Sequence, residues 1–205
     1  MVRVGFVVEG YCEKILLESS HFHDWAKQHN ILICEPIINA RGGGNLCPKN
    51  IEASITECHR LTNPDKIIIL TDLECDPCVT ATKARIGYEI NQIIVAKKAL
   101  EAWFMADTKA MRRWLKNNDF QGEAYPENTP DMPWNRLKEI AKSYHKEGRG
   151  PGTRKIHFAK IMINKLGFSI ERAAAHLNCS SAKYFLDKLQ KLTETTNNNR
   201  YTSSN

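Results

Sequence analysis

Long apolar runs are missing from this sequence. A membrane-spanning helix needs about 20 consecutive apolar residues, and no run in the chain approaches that length. Met1-Val2-Arg3-Val4 leads directly into a predicted strand, so we expect no secretory signal peptide, which would have a charged start and a following apolar stretch. These absences exclude a membrane-spanning function, and we expect the protein to be cytoplasmic.

Paired cysteine motifs are also scarce. The seven cysteines are odd in number and scattered, which predicts reduced thiols rather than a disulfide framework in a chain without a signal peptide. Cys75-Asp76-Pro77-Cys78 is a single CxxC, and a zinc site would need a second pair of ligands. The nearby candidates for that pair are Cys34, Cys47, Cys58 and His59. We expect free thiols, with structural zinc as the alternative.

The composition is that of a globular chain, with no bias strong enough to identify a partner. The 205 residues are 42% hydrophobic and 25% charged, which is ordinary for folded proteins and allows one or two domains. The net charge of +6 permits a polyanionic partner without requiring one. Basic residues are concentrated in the second half of the chain, namely Lys97, Lys98, Arg112, Arg113, Lys116, Arg136, Lys138, Lys142, Arg149, Arg154, Lys155, Lys160 and Lys165.

Two apolar segments have the same design, because each is followed directly by acidic residues. Residues 4–8 precede Glu9, and residues 66–71 precede Asp72 and Glu74. Such runs are typical of strands buried on both faces of a parallel sheet. If the two strands are parallel neighbours, the carboxylates meet at the carboxyl edge, where open α/β sheets place their sites. Since like charges repel, the cluster indicates a divalent cation with oxygen ligands.

Strand-like and helix-like patterns alternate through the first 115 residues. The predicted strands are 3–8, 31–38, 66–71 and 92–96, and the predicted helices are 12–29, 49–61, 79–89 and 97–115. This order predicts the α/β class, with a central, mainly parallel sheet of about four strands flanked by helices. Residues 116–133 are rich in turn formers, and later helices are predicted at 134–144, 155–166, 169–177 and 180–192.

The same patterns divide the chain into three parts. Residues 1–116 form the predicted α/β core, and residues 117–194 form a C-terminal helical extension packed on the core. Residues 195–205 are polar and are predicted to be a disordered tail.

A glycine-rich loop follows the second predicted strand. Asn39-Ala40-Arg41-Gly42-Gly43-Gly44-Asn45 could bring its backbone amides close to a phosphate. No Gly-Lys-Ser/Thr follows, as a Walker motif would require. A phosphate contact and a plain flexible connection are both open.

Four stretches carry a family resemblance. Val8-Glu9-Gly10 ends the first predicted strand and Asp72-Leu73-Glu74 follows the third, as in the Toprim fold of topoisomerases, primases and overcoming-lysogenization-defect nucleases. With Ala99-Leu100-Glu101-Ala102-Trp103-Phe104-Met105-Ala106-Asp107 and Ser181-Ala182-Lys183-Tyr184-Phe185, the pattern resembles the Toprim-like group DUF4276 over residues 1 to 190. The resemblance implies a Toprim-like fold and a metal-dependent nuclease that cleaves DNA or RNA with Mg²⁺ or Mn²⁺.

The resemblance also implies roles for the acidic residues. Glu9 would be the general base or a metal ligand, and Asp72 and Glu74 would be metal ligands. Many Toprim proteins have aspartate at the position of Glu74, so Asp76, two residues further on, could supply the shorter carboxylate instead. The sequence does not decide between Glu74 and Asp76.

Further ligands and phosphate contacts are implied in the same way. Glu13, one turn beyond Glu9, and Glu101 would be ligands of a second ion, as in two-metal nucleases. Lys97 would act as a catalytic residue at the scissile phosphate. The predicted nucleic-acid-binding residues are Arg41, Lys97, Lys98, Arg154 and Lys155. Small Toprim-like nucleases resemble parts of phage-defence systems, which implies a protein partner such as an ATPase.

The acidic residues also have a structural explanation. Glu9 and Asp72 could cap the helices that follow them, where the helix dipole favours a carboxylate. Glu101 and Asp107 could lie on a solvated helix face.

Two other functions are open. Residues 168–185 resemble a helix-turn-helix with its turn at Asn178-Cys179-Ser180, which favours a DNA-binding module without chemistry. Ordinary helix packing produces the same pattern. The second of these functions is another magnesium-dependent phosphoryl-transfer enzyme, acting on a nucleotide, although the missing Walker lysine counts against it.

Overall fold

The computed structural model describes residues 1–202, without the side chains of residue 90 and residues 195–202. The strands in that range are β1 (Val2–Val8), β2 (Ile31–Ile33), β3 (Ile38–Asn39), β4 (Lys66–Asp72) and β5 (Ile93–Ala96). The helices in that range are α1 (Tyr11–Leu17), α2 (Ser20–Gln28), α3 (Pro48–Thr62), α4 (Val79–Ile86), α5 (Glu101–Ala106), α6 (Thr108–Leu115), α7 (Pro133–Tyr144), α8 (Lys155–Asn164), α9 (Ile170–Ala174) and α10 (Ser180–Thr202).

The strands form one parallel sheet. The order is β2-β1-β4-β5, and β3 pairs with the carboxyl end of β1. Val8 lies opposite Leu70, and Asp72 lies opposite Ala96. The carboxyl ends of β1, β4 and β5 therefore meet at one edge, and the predicted α/β class with a parallel sheet is confirmed.

The described sheet has five strands rather than about four, because the predicted strand 31–38 is interrupted. Pro36 has no amide hydrogen and cannot donate to a strand ladder. Pairing with β1 stops at Ile33 and resumes at Ile38. Each piece is short, but both lie beside the same neighbour.

Helices cover both faces of the sheet, as buried parallel strands require. On one face the strands pack against α3 and α4, in a cluster that includes Val7, Ile69, Ile93, Ile55 and Ile86. On the other face they pack against α1, α2 and helices that follow β5, in a cluster that includes Phe6, Leu70, Phe22, Trp103 and Phe185. The second cluster joins residues of the predicted core to residues of the predicted helical extension.

Two predicted helices are each divided by a capping residue. The helix predicted over 12–29 is interrupted at Ser19, whose hydroxyl accepts a hydrogen bond from the Phe22 amide at 3.3 Å. The helix predicted over 97–115 is interrupted at Asp107, whose carboxylate accepts from the Ala110 amide at 3.2 Å. Serine and aspartate stabilise new helix starts in this way. The start of this helix also differs from the prediction, and this matters for the site, because α5 begins at Glu101 rather than at residue 97.

The last helix is part of the core. α10 contacts β1, β2 and β5, and the Phe185 ring lies 5.4 Å from that of Trp103 between centroids. α10 continues to Thr202, so it extends into the segment predicted as a disordered tail; residues 203–205 of that segment lie outside the described residues. Within the part of the chain that the structure describes, no helix combines the length and apolarity needed to cross a bilayer.

Candidate active site

Acidic side chains converge on one cleft at the carboxyl edge of the sheet. The cleft has a volume of about 160 Å³, and the acidic residues that line it are Glu9, Glu13, Asp72, Glu74 and Glu101. They come from separate elements: Glu9 follows β1, Glu13 lies in α1, Asp72 ends β4, Glu74 follows β4, and Glu101 begins α5. These residues meet because the parallel strands end at the same edge.

Glu9 is joined directly to the end of β4. Its Oε2 accepts hydrogen bonds from the Thr71 hydroxyl at 2.5 Å and from the Asp72 amide at 3.1 Å. Asp72 in turn accepts from the Leu100 amide at 2.9 Å through Oδ1. These contacts replace the helix-capping roles that the sequence left open for both acids. Sequence reasoning does not single out Thr71; its signal is a hydroxyl residue that directly follows a run of aliphatic residues in β4.

Glu13 is buried at the start of α1. Its Oε2 accepts a hydrogen bond from the Gly10 amide at 3.0 Å, which is half of a capping box. Its remaining exposure is 4%. The hydrogen bond that caps α1 therefore also holds the Glu13 carboxylate inside the cleft.

Glu101 contributes a buried carboxylate that is only half satisfied. Its Oε1 lies 3.3 Å from Nζ of Lys155 in α8. Its Oε2 is buried and has no hydrogen-bond partner among the described residues. Since buried polar atoms are rarely left unpaired, this oxygen indicates a ligand position. The sequence predicted Lys155 as a nucleic-acid contact and did not predict its pairing with Glu101.

Five acidic residues line the cleft, and Lys155 is the one basic residue among its described lining residues. Its single positive charge cannot neutralise all of these carboxylates. Burial, with the neighbouring charges of Glu13, Glu101 and Glu9, raises the pKa of Asp72 well above its usual range. Burial lowers the pKa of Lys155, but the nearby carboxylates outweigh that effect and raise it. Lys155 is therefore protonated at neutral pH, and a cation bound in the cleft would offset the repulsion among the carboxylates.

The donor set fits a hard divalent ion. Every acidic lining residue offers carboxylate oxygen, the donor that Mg²⁺ prefers, and Glu101 Oε2 is an unpaired buried oxygen. In the described residues, however, no three histidine, cysteine, aspartate or glutamate side chains stand in a preformed metal-binding arrangement.

The glycine loop forms one lip of this cleft. The Gly42 amide donates to the Glu9 carbonyl oxygen at 2.8 Å, and Gly42 has a φ of +119°. A Cβ atom at Gly43 would lie 3.0 Å from Oε1 of Glu9, so only glycine fits without displacing that carboxylate. Arg85 holds the loop through the Gly43 carbonyl oxygen at 3.1 Å. The loop is tied to Glu9 and is not a loose connection.

The two alternative ligands after β4 are separated by the structure. Glu74 is exposed and lines the cleft. Asp76 faces Arg85, whose Nε lies 3.0 Å from Oδ2, and hydrogen bonds from Thr82 and Arg85 lower the pKa of Asp76. The chain turns at Glu74, where φ is +46°, and Asp76 faces Arg85 rather than the cleft. The structure places Glu74, and not Asp76, at the cleft.

Of the lysines predicted to contact nucleic acid, Lys155 lines the cleft, whereas Lys97 and Lys98 do not. Lys97 donates to the Ser180 hydroxyl at 2.7 Å and lies 3.9 Å from the Glu127 carboxylate. Lys98, at a φ of +61°, is bound to the carbonyl oxygens of Thr129 and Asp131. The Lys97 ammonium is thus held against the start of α10 rather than in the acidic cleft, and its catalytic role stays a prediction without support from this geometry. The predicted contacts Arg41 and Arg154 are exposed near the cleft, beside Gly42 and Lys155.

Asp107 has a structural role. It is fully buried and accepts from Nε and Nη2 of Arg172 at 2.8 and 2.7 Å, and from the Ser169 amide at 2.9 Å. This ion pair ties α6 to α9. Neither the solvated helix face predicted for Asp107 nor that predicted for Glu101 is present, since both side chains are buried.

The segment that resembles a helix-turn-helix is occupied by internal contacts. Arg172 is paired with Asp107, and the Ser181 amide at the start of α10 donates to Glu127 at 2.8 Å. A recognition helix must present its first turn to the major groove. Here the buried carboxylate of Glu127 caps that turn, which favours ordinary helix packing over a DNA-binding role.

The cysteines are free thiols throughout the described residues. Cys75 and Cys78 are exposed, and Cys34 and Cys58 are buried in other places. No second ligand pair approaches the CxxC within the described part of the chain, which leaves the structural-zinc alternative without support.

Comparison with known protein families, curated proteins and solved structures finds no match to this chain. The Toprim resemblance therefore stays a prediction that rests on the quoted motifs.

The charge in the cleft predicts a pH-dependent stability. Burial, with smaller contributions from Glu9 and Glu101, raises the pKa of Glu13 from 4.5 to about 7. The folded protein thus binds this proton more tightly than the unfolded chain, and its stability falls as the pH rises through that window. Glu13→Gln removes this loss while its side-chain oxygen can still cap Gly10. Thermal melts in EDTA should show the variant gaining on wild type with increasing pH; parallel profiles would contradict the prediction.

Proposed function

We propose that the protein is a metal-dependent nuclease that cleaves DNA or RNA phosphodiesters at the acidic cleft. The observation that supports this most strongly is the buried Oε2 of Glu101, which has no hydrogen-bond partner among the described residues and lies in a cleft shared with Glu9, Glu13 and Asp72. Carboxylates from separate elements cluster at the sheet edge around Lys155. Clustered carboxylates repel one another and destabilise the fold, and such clusters are therefore found mainly at functional sites.

The ion would be Mg²⁺ or Mn²⁺, held by Glu9, Asp72 and Glu101, with Glu13 and Glu74 at its periphery. When bound, it supplies Lewis-acid activation of water and neutralises charge on the phosphate. Glu9 would position the attacking water or accept its proton. Its Oε2 is already held by the Thr71 hydroxyl, so Oε1, which lies beside Gly43, would act on the water.

Lys155 takes the part that the sequence assigned to Lys97. Its protonated side chain lies at the cleft and is 44% exposed. A phosphate entering the cleft would meet this ammonium beside Glu101. A fixed cation at this point stabilises negative charge that develops on the phosphate during cleavage.

Metal-dependent strand cleavage tests the proposal. Plasmid DNA, single-stranded DNA and tRNA are incubated with the protein in Mg²⁺, in Mn²⁺ and in EDTA. We expect cleavage only with metal. Glu9→Gln should abolish cleavage, because the substitution replaces one carboxylate oxygen by an amide nitrogen and removes the negative charge. Lys66→Ala, an exposed change at the opposite end of β4, is the control and should cleave normally. Absence of cleavage on every substrate, or cleavage that survives EDTA, would refute the proposal.

The remaining predictions depend on this activity. Turnover of a free nucleotide without strand cleavage would support the alternative phosphoryl-transfer enzyme instead. A cytoplasmic location, a role in phage defence and an ATPase partner stay predictions from the resemblance.

A further inference from the structure

A groove of exposed side chains continues from the acidic cleft along α1 and α8. The side formed by Cys12 and Lys155 opens onto a depression of about 640 Å³. The side formed by Tyr11 opens onto another of about 360 Å³. Ile156 and Lys160 line both depressions, so the surface is continuous. We define the α1–α8 groove by Tyr11, Lys14, Arg154, Ile156, His157 and Lys160.

The charge of this groove is opposite to that of the cleft. Arg154 and Lys160 are exposed and form no ion pair within the described residues. Lys14 lies 3.4 Å from Glu18, which balances its charge. Two unbalanced cations, one on each side of His157 in the chain, therefore face solvent next to a cluster of carboxylates. A polyanion would be held along the groove and would enter the cleft only where a metal offsets the acids.

The groove also presents apolar surface. Tyr11 is 54% exposed at the lip of the cleft, and Ile156 is 41% exposed on the facing helix. Tyr11 begins α1 directly after Gly10, so its position follows from the same turn that places Glu9 and Glu13. An exposed aromatic ring among cations is typical of surfaces that stack on unpaired bases. A duplex keeps its base faces stacked inside and offers nothing to such a ring.

We propose that the α1–α8 groove binds single-stranded nucleic acid. Tyr11 stacks on a base beside the acidic cleft, and Arg154 and Lys160 contact the phosphates of the adjoining backbone. The substrate of the proposed nuclease is then a single strand or an unpaired region rather than an intact duplex. This assignment of substrate rests on the proposed function, whereas the binding surface does not.

Binding without cleavage tests the groove separately from the chemistry. Fluorescence anisotropy is measured in EDTA with a labelled single-stranded oligonucleotide and with the same sequence as a duplex. We expect the single strand to bind more tightly than the duplex. Tyr11→Ala should weaken single-strand binding by roughly 10-fold, the scale of one lost base-stacking contact, and Tyr11→Phe should bind like wild type. Lys160→Ala should lower the slope of log K against log salt by about one.

Matched controls separate the groove from general surface effects. Tyr125→Ala removes a tyrosine that is 59% exposed outside the groove, and Lys66→Ala removes a cation at the far end of β4; neither should change binding. Equal affinity for duplex and single strand, or no effect of Tyr11→Ala, would overturn the inference even if the protein cleaves DNA. Tyr11-dependent binding without cleavage in any metal would leave the groove standing and refute the nuclease.

Discussion

Replacement of Asp72 by asparagine is expected to lower metal-dependent cleavage by at least about 100-fold, the scale on which loss of one preorganised electrostatic group lowers kcat. The side-chain oxygen of an asparagine can still accept the hydrogen bond from the Leu100 amide that Asp72 Oδ1 now accepts at 2.9 Å. The fold is therefore expected to persist. What disappears is the negative charge and one of the two carboxylate oxygens, so the loss should lie in activity and in metal affinity.

Stability measurements distinguish this loss from unfolding. Because burial and neighbouring carboxylates raise the pKa of Asp72, its charged form destabilises the metal-free fold at neutral pH. Asp72→Asn should then melt at the same temperature as wild type in EDTA, or at a higher one. It should also gain less from added Mn²⁺ than wild type does. A lower melting temperature in EDTA would show that the variant acts through folding.

Asp76→Asn is the matched control for Asp72→Asn. Asp76 lies four positions further along the same segment but pairs with Arg85, with its carboxylate 3.0 Å from Nε. The same chemical change at this position removes a negative charge outside the cleft, so cleavage should stay within about twofold of wild type, since surface pairs contribute little. Equal loss in both variants would contradict the placement of Glu74, rather than Asp76, at the site.

Replacement of Asp107 by alanine is expected to destabilise the protein by about 3 kcal/mol, the lower end of the range for removing one partner of a buried pair. Asp107 is fully buried and accepts from Arg172 and from the amides of Ala110 and Ser169. Its loss leaves these amides unsatisfied, whereas Arg172 is 37% exposed and can recover water. The melting temperature should fall by roughly 6–12 °C for a chain of this size.

A partly exposed aspartate on α10 provides the comparison. Asp187 pairs with Lys183 one turn away at 2.5 Å, and the side chains of Lys183 and Asp187 are 64% and 42% exposed. Asp187→Ala should change stability by less than about 0.5 kcal/mol, because exposed pairs of this spacing contribute little. If Asp107→Ala is as mild as Asp187→Ala in thermal melts, the pair with Arg172 does not hold α6 to α9.

The predictable part of the site is the part encoded by neighbouring residues. An aliphatic run that ends in an acid identifies both the strand and the carboxylate at its carboxyl end, as residues 4–9 and 66–72 show. Parallel pairing then places Glu9 beside Asp72, and the Asp72 amide donates a hydrogen bond to Oε2 of Glu9 at 3.1 Å. The position of Glu13 could be predicted in the same way, because Glu13 lies one helical turn beyond the end of the strand.

The parts that sequence reasoning missed depend on single backbone conformations and on distant partners. Glu74 and Lys98 have positive φ values that no periodicity predicts, and Asp76, Lys97 and Lys98 find their partners outside the cleft. The cation that does line the cleft, Lys155, comes from a helix far along the chain. No periodicity indicates which of many lysines will face which glutamate, because that choice is made by how helices pack.

From the order of its amino acids, this chain had to form a buried parallel sheet flanked by helices, with acids at one edge, because strand burial and side-chain alternation are local properties. Tertiary packing alone decided that α8 supplies the balancing cation, that Asp107 belongs to the core, and that Tyr11 stands exposed beside the cleft. These outcomes depend on which surfaces meet, and such contacts are set by the whole fold rather than by neighbouring residues.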